Sequence, residues 1–556
     1  MDILGVTIES CIVFACIIVL FALLSAVRKL WLSALISLIF GLAYFLRYLY
    51  FANVASNAPA WIVLSSLEAL SIALTGILYT FITVRVLKRR VNIQSALIFA
   101  TVFVAVEELR SIIPYGGFPI ARIGLLQVPK SFENLAFLGG APLISFAVVF
   151  VACMVFVALH AVATGFGKGA VRYDVVGETK WDGATVSHGA FRVFGLLIVM
   201  AIVSVGGLFL PVGEAYFTST DTFTFGAVQG NIDEEALKKD NKIDDTFINH
   251  VNVTKNQLQQ AKQQYLQHHT DVNNLDIIFL PENSLDYDPK YYKDIRDQLN
   301  ALVDEQNAPI MIGINDFLGQ DGITKRYNKM LLWTADSGGV IGNMQWYAKR
   351  HPVPFGEYVP DREIWRSLSD QIDRIKTDML PSPSNDVGIF KVPAQSRNKP
   401  AQTGNSSAGN AENSVREAKI GALICFEIFY DEYIAELANS DAEFIVLPTN
   451  NISFGTSDES AQQLQASKIA AIASGRAVLQ ISTVGTSALA LPNGDILHQT
   501  ALMQPAAFVD SVNLTATPTP AATILPYLRY ALFVMVVAMG IIALAKGRDG
   551  LGVVEM

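Results

Sequence analysis

Apolar residues fill long unbroken stretches near both ends of the chain, and the middle alternates short apolar runs with polar ones. A helix needs about 20 predominantly apolar residues to cross a bilayer. Ile3–Val27, Leu30–Tyr50, Trp61–Val84, Ile93–Leu109, Ala141–Ala163, Phe191–Val212 and Thr523–Ala545 reach or approach that length, the fourth being the shortest. The first begins at Met1-Asp2 without a basic flank, so it reads as a retained membrane helix rather than a signal peptide. The expected organisation is a membrane domain over 1–212 with about six transmembrane helices, a separate domain over 213–522, and a transmembrane helix with a short tail over 523–556.

In the middle section the period of the pattern changes. Thr224–Ile232 (TFGAVQGNI) predicts a strand ending in a Gly-Asn turn, and the Gln-rich stretch Asp244–His268 a helix. Leu275–Leu280 predicts a buried strand, Tyr291–Glu305 a helix, and Ala308–Ile314 another strand. Met330–Trp333 and Val340–Trp346 predict a strand pair around Asp336-Ser337-Gly338-Gly339. Buried strands are expected at Lys419–Cys425 and Glu443–Pro448 with a helix between them. A helix is expected at Ser460–Ser474, then strands at Ala477–Thr483 and Ala488–Leu491. Such alternation predicts a layered α/β domain. Ala394–Ala418, rich in Ser, Asn, Ala and Gly, has too little apolar content to build a core and reads as a disordered insertion.

Composition supports this division. The chain is 51% hydrophobic and only 16% charged, with mean hydropathy +0.36. A net charge of −9 gives no support for nucleic-acid binding. Basic residues mark alternate loops: Arg28 and Lys29; Arg85, Lys88, Arg89 and Arg90; Lys168, Arg172, Lys180 and Arg192; Lys546 and Arg548. By the positive-inside rule these loops face the cytoplasm, which puts the uncharged loop Phe51–Ala60 and the large domain on the other side. Seven histidines occur without ligand-like spacing, so neither a metal nor a cofactor is implied.

Of four cysteines, Cys11, Cys16 and Cys153 lie in apolar segments, and Cys425 sits in IGALICFEIFYDEY, a buried strand turning into a helix. A nucleophilic thiol needs a base to take its proton or a cation to favour its thiolate. Glu282 of LPENS follows a buried strand and is a candidate base. Lys349 of YAKRHPVPFGEYVP precedes a proline-fixed loop and is a candidate for stabilising an oxyanion, with the Phe426 amide as a second donor. Taken singly, Glu282 also reads as a turn cap, Lys349 as a surface cation and Cys425 as a core residue.

Glu282, Lys349 and Cys425, in this order and these contexts, resemble the Glu-Lys-Cys triad of the nitrilase superfamily. LPENS, PVPFGE and ICFE, together with VEELRSIIPYGGFPIARIG, VQGNI and NNISFGTSDESAQQLQASKIAAIASGRAV, resemble its membrane-bound branch, the apolipoprotein N-acyltransferases. The resemblance implies a polytopic α-helical membrane domain plus an extracytoplasmic α/β nitrilase-like layered sandwich. It implies Glu282 as general base, Lys349 as transition-state stabiliser and Cys425 as nucleophile. Glu357 would support the lysine, Glu427 would lie near the nucleophile, and Phe426 matches a position commonly aromatic. The implied partners are a phospholipid acyl donor and a diacylglyceryl apolipoprotein acceptor, in the cytoplasmic (inner) membrane of a bacterium. Two departures stand out: one upstream membrane helix fewer than the family's usual eight, and Ala473 and Ser474 where an acidic residue is common. Two rival readings remain, a membrane-tethered hydrolase of the same superfamily, and a scaffold or transporter using Glu68, Glu107, Glu108 and Arg110.

Overall fold

The computed structural model describes residues 7–88, 90–166, 183–213, 221–232, 242–270, 272, 274–286, 288–318, 324–334, 344–367, 377–395 and 415–548. They fall into two compact units, 1–210 with 524–556, and 211–523.

The first unit is helical: α1 (Ile8–Ala26), α2 (Leu30–Tyr48), α3 (Phe51–Ala55), α4 (Ala58–Val86), α5 (Ile93–Arg110), α6 (Lys130–Glu133), α7 (Ala136–Phe166) and α8 (Gly183–Gly206), with the C-terminal helix Pro520–Arg548. Each expected apolar segment lies on a helix, but five rather than seven of the described helices are long and apolar enough to cross a membrane: Ile8–Ala26, Leu30–Tyr48, Ala58–Val86, Ala136–Thr164 and Pro520–Lys546. Helix α5 ends in charge. Its Arg110 lies 3.1 Å from Glu68 and donates to the Phe118 and Ile120 carbonyls. Glu108 meets Arg122 at 3.1 Å and Arg529 at 3.0 Å, and Glu107 accepts from the Ile123 amide. Buried charge is tolerated when paired in this way, and the pairs tie the segment around 118–123 to α5. Of the loop charges, Arg89, Lys168, Arg172 and Lys180 lie outside the described residues.

The second unit holds two sheets. Strands β1 (Thr222–Gln229), β2 (Ile277–Phe279), β3 (Ile310–Leu318), β4 (Thr324–Trp333), β5 (Trp346–Ala348), β6 (Thr377–Met379) and β13 (Ala506–Asn513) form one sheet, ordered β13-β1-β2-β3-β4-β5 with β6 on β4. Strands β7 (Ile389–Gln395), β8 (Val415–Ala422), β9 (Phe444–Thr449), β10 (Val478–Ser482), β11 (Ala488–Ala490) and β12 (Ile496–Leu497) form the other, ordered β12-β11-β10-β9-β8-β7. The β1–β2–β3 and β8–β9–β10 pairings are parallel.

Alternation along the strands explains the layers. Phe223, Phe225 and Ala227 of β1 join Phe279, Ile420, Phe444 and Leu479 in one core between the sheets. The opposite face, with Val228, Ile278 and Ile312, is covered by α9 (Lys242–Val253), α10 (Gln259–His268) and α11 (Lys293–Gln306). Gly226 keeps that approach close, because a Cβ there would lie 2.8 Å from Leu258. The short helix α12 (Arg362–Arg366) precedes β6. Helices α13 (Asp431–Asn439) and α14 (Glu459–Ser474) flank β9, and Leu437 of α13 packs on Gly421 of β8.

Three expectations need correction. Strand β5 runs Trp346–Ala348, so of the described part of the expected Val340–Trp346 strand only Trp346 is in it, and 335–343, with the expected turn, lies outside the described residues. Both ends of 394–418 are strand rather than insertion: Ala394 pairs with Arg416 and Gln395 with Val415 at the open end of the β7–β8 ladder. Val392, Ala394, Ala418 and Ile420 alternate into the core, a pattern too sparse to stand out beside so much Ser and Asn. Residues 396–414 lie outside the described residues. The helix expected at Asp244–His268 is two helices joined by a π turn, Thr254–Leu258.

Gly313 of β3 faces the segment that follows β2. A Cβ there would lie 2.5 Å from the Pro281 carbonyl oxygen and 2.8 Å from Glu282 Cα. Gly313→Ala is therefore expected to push that backbone aside and to cost about 1–3 kcal/mol, read as a lowered thermal unfolding midpoint. An unchanged midpoint would show that the strands separate freely here.

Candidate active site

Three strand ends meet in the second unit. Cys425 comes just after β8, adopts φ +53, and opens a 3-10 turn over Cys425–Phe429. A left-handed conformation at a non-glycine residue is uncommon; here it lets the chain turn sharply from strand to helix. Glu282 lies beyond β2, its carbonyl accepting from the Thr483 hydroxyl at 2.9 Å. Lys349 follows β5, its amide bonded to the Asn328 carbonyl at 2.9 Å.

The side chains converge. Lys349 Nζ is 2.6 Å from Glu357 Oε1 and 3.5 Å from Glu282 Oε1. Glu282 Oε1 also accepts from Asn328 Nδ2 at 2.5 Å, and the Cys425 thiol hydrogen-bonds the same carboxyl. Lys349 is 0%, Glu282 2% and Cys425 9% exposed, so the charges here act without water's screening.

Burial and neighbouring charge set the protonation states. Burial raises Glu282 above the ordinary carboxylate range and Glu357 adds to the rise, while Lys349 and Asn328 pull it down. Burial also raises the Cys425 thiol well above its usual value, reinforced by Glu282 and opposed by Lys349. For Lys349, burial works against the charge, but Glu357 and Glu282 outweigh it and hold the ammonium protonated. The resting arrangement is a neutral thiol beside a carboxyl of raised basicity and a fixed cation. It can pass the thiol proton to Glu282 and present Lys349 to a developing oxyanion.

Glu357, whose one oxygen meets Lys349, has its second on the Val353 amide at 2.8 Å. Glu427 does not face the thiol. Its Oε2 accepts from the Ile424 amide and the Tyr347 hydroxyl, each at 2.8 Å, and its Oε1 from the amides of Arg350 at 2.6 Å and His351 at 3.2 Å. It thus clamps the cysteine turn to the loop after Lys349. The Phe426 ring packs on His351, Phe429 and Tyr430, with centroids 6.2, 5.9 and 5.5 Å away. Where the sequence lacks an acid at Ala473 and Ser474, the buried Arg476 donates instead to the carbonyls of Ala438, Ala442, Ser474 and Thr517.

Sequence reasoning missed Asn328, Asn451, Glu459 and Gln463. Glu459 and Gln463 stand four residues apart on α14 and share a face, and both are buried. A pair of polar residues at that spacing, on a helix bordered by buried strands, was the available signal. Burial pushes the Glu459 carboxyl up to about 7, with Asn451 opposing and Glu282 adding.

Residues 226–506 match the carbon-nitrogen hydrolase family, and residues 9–154 match the apolipoprotein N-acyltransferase N-terminal domain. An apolipoprotein N-acyltransferase of Mycolicibacterium smegmatis is 27% identical over 419 residues, 74% of this chain and 61% of that protein. One from Pseudomonas aeruginosa is 25% identical over 455 residues, 81% of this chain and 73% of that protein. Among solved structures, Saccharomyces cerevisiae Nit3 of the nitrilase superfamily is 13% identical with a TM-score of 0.34, covering 56% of this chain and 95% of its own.

Glu427→Gln tests the clamp. An amide cannot accept from all four donors, and each buried donor left unpaired costs about 1–3 kcal/mol. The unfolding midpoint and the reactivity of Cys425 should fall together; an unchanged reactivity would show that the loop holds its place unaided.

Glu459→Gln tests the extra carboxyl through the pH dependence of Cys425 alkylation. Above pH 7 the ionised Glu459 raises the thiol; below it the carboxyl is neutral. The variant keeps an acceptor oxygen for Asn451 and loses only the charge, so it should react faster than the parent above pH 7 and converge with it below. Profiles parallel throughout would place the Glu459 titration elsewhere.

Proposed function

The chain belongs to the carbon-nitrogen hydrolase family, and we propose that within it the protein is an apolipoprotein N-acyltransferase working through a cysteine thioester. The observation that carries the reading is the convergence of Glu282, Lys349 and Cys425, in a chain whose helical N-terminal part matches the corresponding domain of those enzymes.

Glu282 takes the Cys425 proton as the sulfur attacks a phospholipid ester carbonyl. Lys349 stabilises the oxyanion, with the Phe426 amide as the expected second donor. The ester C–O bond breaks, the leaving alcohol takes the proton from Glu282, and the acyl chain stays on sulfur. In the second half, the α-amine of the acceptor's lipidated N-terminal cysteine attacks the thioester. Glu282 accepts a proton from nitrogen, the C–S bond breaks, and an amide is released. Glu357 holds Lys349 in place, and Glu427 and Phe426 hold the turn that carries the nucleophile. The alternating basic loops support an extracytoplasmic site in a bacterial inner membrane.

The test is intact-mass analysis of the detergent-solubilised protein after incubation with phospholipid. The parent should gain one acyl chain and lose it to an added diacylglyceryl-cysteine peptide, which gains an amide. Cys425→Ala should do neither. Glu282→Gln should block adduct formation, and Lys349→Met should slow both halves by about 10²–10³. Turnover retained in Cys425→Ala would remove the nucleophile from the mechanism. Release of free fatty acid, with no amide formed, would make the protein a hydrolase.

A further inference from the structure

Cys425 has a neighbour that the Glu-Lys-Cys arrangement does not use. Gln463 Nε2 stands 3.5 Å from Cys425 Sγ, positioned to donate. A glutamine amide turned around would present its oxygen to the sulfur and repel a thiolate, so its orientation matters. A chain of hydrogen bonds fixes it. An ionised Glu459 accepts only, and its Oε2 lies 2.6 Å from Asn451 Nδ2. The Asn451 amide therefore has its nitrogen toward Glu459. Its oxygen, on the other side, accepts from the hydroxyls of Thr449 at 2.8 Å and Ser482 at 2.6 Å. Asn451 Nδ2 also donates to Gln463 Oε1 at 3.0 Å, which turns the Gln463 NH₂ to the sulfur. All six side chains are buried, so no water competes for these bonds.

We propose that Gln463 is a further catalytic residue, a hydrogen-bond donor to the Cys425 sulfur, held in orientation by Asn451 and Glu459. Its work is on the thiolate. As Glu282 removes the thiol proton, the Gln463 N–H stabilises the electron pair left on sulfur. The second role rests on the acyl-transfer reading above. When the amine has attacked the thioester and given a proton to Glu282, the C–S bond breaks and its electron pair returns to sulfur. The same N–H then stabilises the departing thiolate. Lys349 serves the carbonyl oxygen, and Gln463 serves the sulfur.

The test is the pH profile of iodoacetamide alkylation of the full chain in detergent, read on the Cys425 peptide by mass spectrometry so that Cys11 and Cys16 do not contribute. Gln463→Leu removes the donor. Its profile should move to higher pH by about one unit, making alkylation near neutral pH about tenfold slower. Should Gln463→Leu fail to fold, Gln463→Glu keeps the size and reverses the polarity, and its profile should move further in the same direction. A side chain that only packs would leave the profile where it is, so variant curves superimposed on the parent's would overturn the proposal. Alkylation needs no lipid, which separates the two readings. Shifted curves in a protein that forms no acyl adduct support the sulfur donor and defeat the acyl-transfer reading. Superimposed curves in a protein that does form the adduct defeat the donor and leave the reaction standing.

Discussion

An ammonium with no access to water constrains everything around it. Lys349 is fully buried, and removing such a charge from water costs several kcal/mol unless partners restore what water supplied. Glu357 and Glu282 supply it. Glu357 lies eight residues further along the chain, so the intervening loop has to close back on its own start. The Val353 amide on Glu357, and the Arg350 and His351 amides on Glu427, hold that closure. Because Glu427 also holds Ile424, the loop that satisfies the lysine is fixed to the turn that carries the cysteine. A strand end from each sheet is thereby brought into register.

The two carboxylates are not equivalent. Glu357 is in close contact with the lysine at 2.6 Å, while Glu282 stands off at 3.5 Å and is bound by Asn328 and the thiol. One cation faces two acids, so the site is short of positive charge. Burial, more than this shortage, keeps the thiol proton in place at rest and leaves Glu282 more basic than an exposed glutamate. A base must be basic enough to take the proton and a nucleophile must yield it only when the substrate is present. Both requirements follow from the same burial.

The sequence exposes elements whose pattern is strong and hides those whose pattern is short. Leu275–Leu280, Glu443–Pro448 and Ala477–Thr483 are dense in branched apolar residues, and each contains a strand. Strands β7 and β13 were not legible, since their alternation is carried by small residues such as Ala394 and Ala507 as much as by Val392, Phe508 and Val512. Glu282, Lys349 and Cys425 could be singled out as candidates because each stands after an expected strand in a motif that resembles those of a known family. Gln463 and Asn451 could not. Glutamine and asparagine are ordinary on helices and in turns, and only the packing of α14 over the strand ends brings Gln463 to the sulfur and to Asn451. Polar residues are legible from sequence when their strand places them, and illegible when a tertiary contact does.

Water and an amine attack a thioester through the same tetrahedral intermediate, so a Glu-Lys-Cys arrangement serves hydrolysis and transfer alike. The partition is set by what reaches the sulfur. Cys425 is 9% exposed and its neighbours are more deeply buried, and in the proposed reaction that burial would slow hydrolysis of the acyl-enzyme by restricting bulk water. Confinement of substrates works in the opposite sense for the amine. On that reading, a donor and an acceptor anchored in one membrane would meet the protein at a local concentration far above their bulk value, and five described helices are long and apolar enough to cross that layer. An acyl-enzyme that persists is useful only where the second substrate is concentrated. The buried thiol and the apolar helices are thus two parts of one physical argument for transfer over hydrolysis.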